Sequence, residues 1–71
     1  MERIPVESSD LASIGYDANT SILEIQFNNG SIYQYSDVPE GTYDGLMTAE
    51  SKGRFLDQHV KKAGYSYTRV R

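Results

Sequence analysis

Ser21 to Asp37 reads SILEIQFNNGSIYQYSD, and the pairing register of its two apolar runs decides the fold. The first run sets Leu23, Ile25 and Phe27 on one face and Glu24 and Gln26 on the other, the alternation of a half-buried antiparallel strand. Asn28-Asn29-Gly30 closes a hairpin, since Asn and Gly accept the positive φ of such turns at little steric cost. The return strand runs from Ser31 to Ser36. A slip of one residue between these strands turns every side chain to the opposite face. If Asn29-Gly30 form a two-residue turn, Phe27 faces Ile32, and Tyr33 and Tyr35 are exposed rings beside Gln26 and Glu24. If Asn28-Asn29-Gly30 form a three-residue loop with Gly30 left-handed, Ile25 faces Tyr33, Leu23 faces Tyr35, and both tyrosines enter the core. The second register is favoured. It builds one apolar face from Leu23, Ile25, Phe27, Tyr33 and Tyr35, exposes only Ile32, and uses two large aromatics that a small core needs.

Upstream, LASIGYD (Leu11 to Asp17) alternates with Ala12, Ile14 and Tyr16 on one side. Ser8-Ser9-Asp10 leads into this strand and Asp17-Ala18-Asn19 turns out of it. Downstream, Asp37-Val38-Pro39-Glu40 starts a helix, and Tyr43, Leu46 and Met47 form its buried stripe. Gly41 and Gly45 each weaken that helix by roughly 1 kcal/mol against Ala, so packing has to hold it. Ser51 caps a second helix, with Phe55, Leu56, His59 and Val60 as its buried side and Gly64 as a left-handed stop. Tyr65 to Arg71 then alternates again, as either a last strand or a frayed tail. The fold class is α+β: an antiparallel three-stranded meander, two short helices on one face, and a fourth C-terminal strand if that last segment pairs.

The 71 residues make one domain, 1–71, with room for a single core layer. With no cysteine, neither a disulfide framework nor a thiolate metal site supplements the core. The N-terminus lacks the apolar run of a signal peptide and no stretch is long enough to span a bilayer, so the expected location is the cytoplasm and no membrane partner is expected.

Net charge is −3, which taken whole argues mildly against a nucleic-acid partner. The distribution points the other way: residues 1–51 carry nine acids against Arg3, whereas residues 52–71 carry six cations against Asp57. On a strand, Tyr65, Tyr67, Arg69 and Arg71 share a face, with Lys61 and Lys62 just before them and Lys52 and Arg54 at the start of the second helix. Cations for phosphates interleaved with aromatic faces for bases are the footprint of a single-strand binder. The candidate residues are therefore Lys52, Arg54, Lys61, Lys62, Tyr65, Tyr67 and Arg69, with Tyr35 at the edge of the groove. The plainer alternative packs Tyr65 and Tyr67 on the sheet and leaves the cations to favour the helix dipole and solubility. A rival from another class is a protein-interaction module that docks a partner domain or a second copy through the acidic half, a strand edge, or apolar surface at Ile22 or Ile32.

Catalysis finds little support. His59 is the sole histidine, Asp57 points elsewhere on a helix, and no second nitrogen or sulfur ligand accompanies them, so no metal site or cofactor is expected. Ser8-Ser9 lacks a base placed by any motif, and the glycines match no phosphate loop.

Taken in order, Val6 with Ser8-Ser9, Ile14-Gly15-Tyr16-Asp17, Leu23-Glu24-Ile25 with Phe27 and Gly30, Tyr33-Gln34-Tyr35, Val38-Pro39, Tyr43, Ala49 with Ser51 and Gly53, and Tyr65 to Val70 cover nearly the whole chain. This series resembles the KTSC domain, a short family named for its place at the C-terminus of some lysyl-tRNA synthetases and also found as small free-standing bacterial or phage proteins. Its central Tyr-x-Tyr falls on Tyr33 and Tyr35. The resemblance implies a fold and, from the synthetase context, a role in binding RNA. Ala63-Gly64 departs from the basic or polar residues expected before the closing aromatics and interrupts a continuous cationic strip.

Overall fold

Leu23 lies opposite Tyr35 and Ile25 opposite Tyr33, so the hairpin loop is Asn28 to Gly30. Gly30 takes φ 92°, Phe27 N donates to Ser31 O at 2.9 Å, and Gly30 N donates back to Phe27 O at 2.9 Å. This is the three-residue loop of the favoured register. Around it, the computed structural model, which describes all residues Met1–Arg71, builds one antiparallel sheet with its strands in chain order. They are β1 (Ile4–Pro5), β2 (Leu11–Asp17), β3 (Ile22–Phe27), β4 (Ile32–Tyr35) and β5 (Tyr67–Arg69). Between β4 and β5 run α1 (Glu40–Thr48) and α2 (Lys52–Leu56), and α2 continues into a π-helical turn over Asp57–Lys61. The meander thus has five strands rather than three or four. The last segment pairs as a strand, and the two-residue β1 adds an edge that carries no alternating pattern of its own.

Leu11 faces Phe27 but Ser13 faces Gln26, so Ala12 is the extra residue of a bulge. The bulge brings Leu11, not Ala12, to the face shared by Ile14, and Leu11 is fully buried. Both helices cover this face. Leu46, Leu56 and Val60 meet Leu11, Ile14, Leu23, Ile25, Tyr35 and Val38 in one cluster. Pro39 O receives Thr42 N at 3.0 Å and Tyr43 N at 3.3 Å to start α1, and Ser51 Oγ receives Arg54 N at 3.4 Å to start α2. Gly64, at φ 86°, ends the helical segment. Leu56 and Val60 are buried and Phe55 is half-buried, but His59 is exposed, contrary to the sequence expectation. The Lys62 N to Asp57 O bond (3.0 Å) widens this turn, and the His59 ring stays on its flank, 4.4 Å from the Phe55 centroid.

The opposite face of the sheet carries a closed polar network. Arg3 Nη1 donates to Glu24 Oε2 at 2.5 Å, Arg3 Nε to Ser13 Oγ at 3.0 Å, Gln34 Nε2 to Glu24 Oε1 at 2.8 Å, and Ser13 Oγ to Gln26 Oε1 at 2.9 Å. The N-terminal segment crosses so closely here that a Cβ on Gly15 would lie 2.7 Å from Glu2 O. Ile32, expected to be exposed, is only 5% exposed on this face. The C-terminal residues wrap its backbone, with Val70 N at 2.8 Å and Arg71 N at 3.3 Å from Ile32 O. Ile32 is therefore withdrawn from any docking surface. No helix is long and apolar enough to cross a membrane.

Candidate nucleic-acid interface

Pairing between β4 and β5 sets Tyr35 opposite Tyr67 and Tyr33 opposite Arg69. Alternation along each strand then puts Tyr33, Tyr35, Tyr67 and Arg69 on the same face, the one that bears the helices. The Tyr67 ring lies 5.9 Å from both Tyr33 and Tyr35, and Phe27 meets Tyr33 edge-on at 5.7 Å. Burial grades across the group. Tyr35 is 3% exposed and belongs to the core, Tyr33 is half-buried, and Tyr67 is 64% exposed. Burial and the neighbouring phenol groups of Tyr33 and Tyr67 raise the Tyr35 hydroxyl above its ordinary value, so it remains a neutral donor at physiological pH.

Beyond the helices this end of the sheet stays open as a cavity of about 530 Å³, walled by Phe27, Tyr33, Tyr35, Tyr65, Tyr67 and Lys61, with Asn29 and Ser31 at its rim. That volume falls within the roughly 300–1,000 Å³ of small-ligand sites. The π-helical turn delivers Lys61 to this wall, where its Nζ stands 5.2 Å from the Phe27 ring centroid. Arg69 sets its guanidinium carbon 5.9 Å from the Tyr33 centroid. Cations held over ring faces are attracted by the ring quadrupole and stay beside the aromatic surface, and Arg69 Nε also donates to Arg71 O at 3.1 Å.

Of the residues singled out in the sequence, Tyr35, Lys61, Tyr65 and Tyr67 meet at the cavity, and Arg69 stands over its Tyr33 wall. The others lie away from it. Lys62 Nζ faces Asp57 Oδ2 at 3.6 Å on open surface, Lys52 Nζ donates to Ala49 O at 3.1 Å, and Arg54 is exposed on α2. The core position of Tyr35 leaves it as a wall rather than a free stacking ring. Tyr33 and Phe27 line the cavity although sequence reasoning assigned them only to the core. The signal was present in the favoured register, which already set both on the face of Tyr35. What the sequence did not reveal is that the helices leave that end of the face uncovered.

The KTSC domain family model matches residues 7–67. The crystal structure of a KTSC domain protein from Yersinia pestis superimposes with a TM-score of 0.90 at 44% identity, covering 99% of this chain and 97% of that one. An uncharacterized protein of Stutzerimonas stutzeri is 40% identical over 70 residues, 99% of each chain. A lysine–tRNA ligase of Nostoc punctiforme is 34% identical over 55 residues, which span 78% of this chain but 10% of the ligase. In length, sequence and fold, the chain belongs to the KTSC domain family.

Proposed function

We propose that this chain is a non-catalytic accessory domain that binds single-stranded nucleic acid, RNA foremost, at the aromatic cavity between β4, β5 and the π-helical turn. The carrying observation is the open cavity itself, which joins exposed tyrosine surface to the Lys61 ammonium, with Arg69 standing over its Tyr33 wall and donating its Nε to Arg71 O at 3.1 Å. Tyr67 offers the stacking platform, Tyr33 and Tyr65 the flanking walls, and Lys61 and Arg69 reach for phosphates. Lys52, Arg54 and Lys62, outside the cavity, add a cationic field that steers rather than grips. The related segment of the lysine–tRNA ligases belongs to enzymes whose name carries an RNA, which favours RNA over DNA.

The chain has six tyrosines and no tryptophan, so tyrosine fluorescence reports stacking directly. Titration with single-stranded RNA octamers is expected to quench it, with an affinity that falls steeply with salt. Tyr67→Ala should lose about 1–3 kcal/mol of binding. Lys61→Glu should weaken binding far more than Lys62→Glu, because Lys62 already faces Asp57 and stands outside the cavity. Equal affinity of the Lys61→Glu variant and the parent chain would refute the assignment.

A further inference from the structure

A second cavity of about 400 Å³ lies against the first and shares Phe27, Asn29 and Lys61 with it. Those three side chains form the divide between the two hollows. The chemistry on either side differs: the larger is tyrosine-lined, whereas the smaller carries the Asp10 carboxylate beside Asn28 and Gly53. Donors concentrate at the divide. Asn29 Oδ1 is taken by Ser31 N at 3.0 Å and Ser31 Oγ at 2.7 Å, which leaves its Nδ2 without a partner in the protein, on the divide that Asn29 shares with Lys61. Asp10 is the opposite case, since its backbone is bonded at both ends but its carboxylate accepts no hydrogen bond from the protein. Room for that carboxylate is kept by Gly53, where a Cβ would fall 2.6 Å from Asp10 Oδ2.

Asp10 is exposed, and its carboxylate, in the hollow that Lys61 also lines, would repel a phosphate but accept a hydrogen bond from a ligand hydroxyl. A phosphodiester with a neighbouring ribose supplies both groups. We infer that the two cavities form a ribose-selective footprint of at least two nucleotides: one base in the tyrosine cavity, the phosphodiester on Lys61 and Asn29 at the divide, and the adjoining 2′-hydroxyl donating to Asp10. The inference rests on the nucleic-acid reading above and deepens it, because the 2′-hydroxyl is the group by which a protein tells RNA from DNA.

The test compares randomised octamer pools that share the same four bases, uracil included, and differ only in ribose or 2′-deoxyribose. A hydrogen bond to a charged acceptor should give the parent chain a preference of about tenfold for the ribose pool. Asp10→Ala should bring that ratio close to parity. Gly53→Ala should do the same by displacing the carboxylate at the end of its side chain, in a variant whose helix propensity improves. Lys61→Ala should weaken both pools alike and reduce the salt slope by about one. A parent chain that binds both pools equally, or an Asp10→Ala chain that keeps the preference, would overturn the inference and leave the aromatic site standing. If neither pool perturbs Tyr67, the nucleic-acid reading falls and this inference falls with it.

Discussion

Tyr35 and Tyr67 face each other across β4 and β5 with ring centroids 5.9 Å apart, yet one is 3% exposed and the other 64%. Truncating them should therefore have opposite signatures. Tyr35→Ala removes a ring from the core and is expected to destabilise the fold by about 3–5 kcal/mol, as large core aromatics do. Tyr67→Ala should leave the thermal midpoint nearly unchanged and act on binding. Comparable losses of stability in the two variants would show that Tyr67 is structural. On the other sheet face, burial pushes the Glu24 carboxyl up, but the hydrogen bonds from Gln34 and Arg3 and the Arg3 charge outweigh it and hold its pKa below the ordinary 4.5. With the folded value depressed, stability from this group is present above about 4.5 and is lost as pH falls through the lowered value. Glu24→Gln is expected to flatten that acid limb of a pH-dependent unfolding series. An equally steep decline in the variant would place the acid sensitivity elsewhere.

At the scale of elements, the two glycines of α1 are not equivalent. A Cβ at Gly45 would stand 2.7 Å from Phe55 Cζ, whereas nothing lies within 4 Å of one at Gly41. Gly41→Ala should stabilise the chain by up to about 1 kcal/mol through helix propensity, and Gly45→Ala should destabilise it despite the same propensity gain. Chemical denaturation of the two variants checks the difference in sign. Helix propensity can be read from composition, but the approach of the Phe55 ring to α1 cannot, because it depends on how two helices cross. The same distinction runs through the fold. Loop chemistry and alternation made the hairpin of β3 and β4 legible, down to the left-handed Gly30. The bulge at Ala12 was not, since one extra residue in LASIGYD leaves the alternation plausible on either side. β1 escaped notice because its two residues are exposed and their pairing is fixed from outside, by Arg3 reaching Ser13 and Glu24. The π-helical turn was equally silent, and it is what turns His59 outward while carrying Lys61 to the cavity.

Over the whole molecule, an acidic chain presents its aromatic opening beside the cation-rich C-terminal third. Sequence reasoning gathered Lys61, Tyr65, Tyr67 and Arg69 as neighbours along one segment, and that much of the site was legible. It counted Lys52 and Arg54 of α2 as well, and neither lines the cavity. It also left Asp10, at the far end of the sheet in sequence, unconnected to Lys61. The central claim is that single-stranded nucleic acid enters this opening by stacking and charge together. The most direct measurement is an NMR titration of isotope-labelled protein with short single-stranded RNA at low and at moderate salt. Shifts gathered on Phe27, Tyr33, Lys61, Tyr65 and Tyr67, fading as salt rises, are the expected result. No shifts at either salt, or shifts centred on the Arg3–Glu24 face, would contradict it.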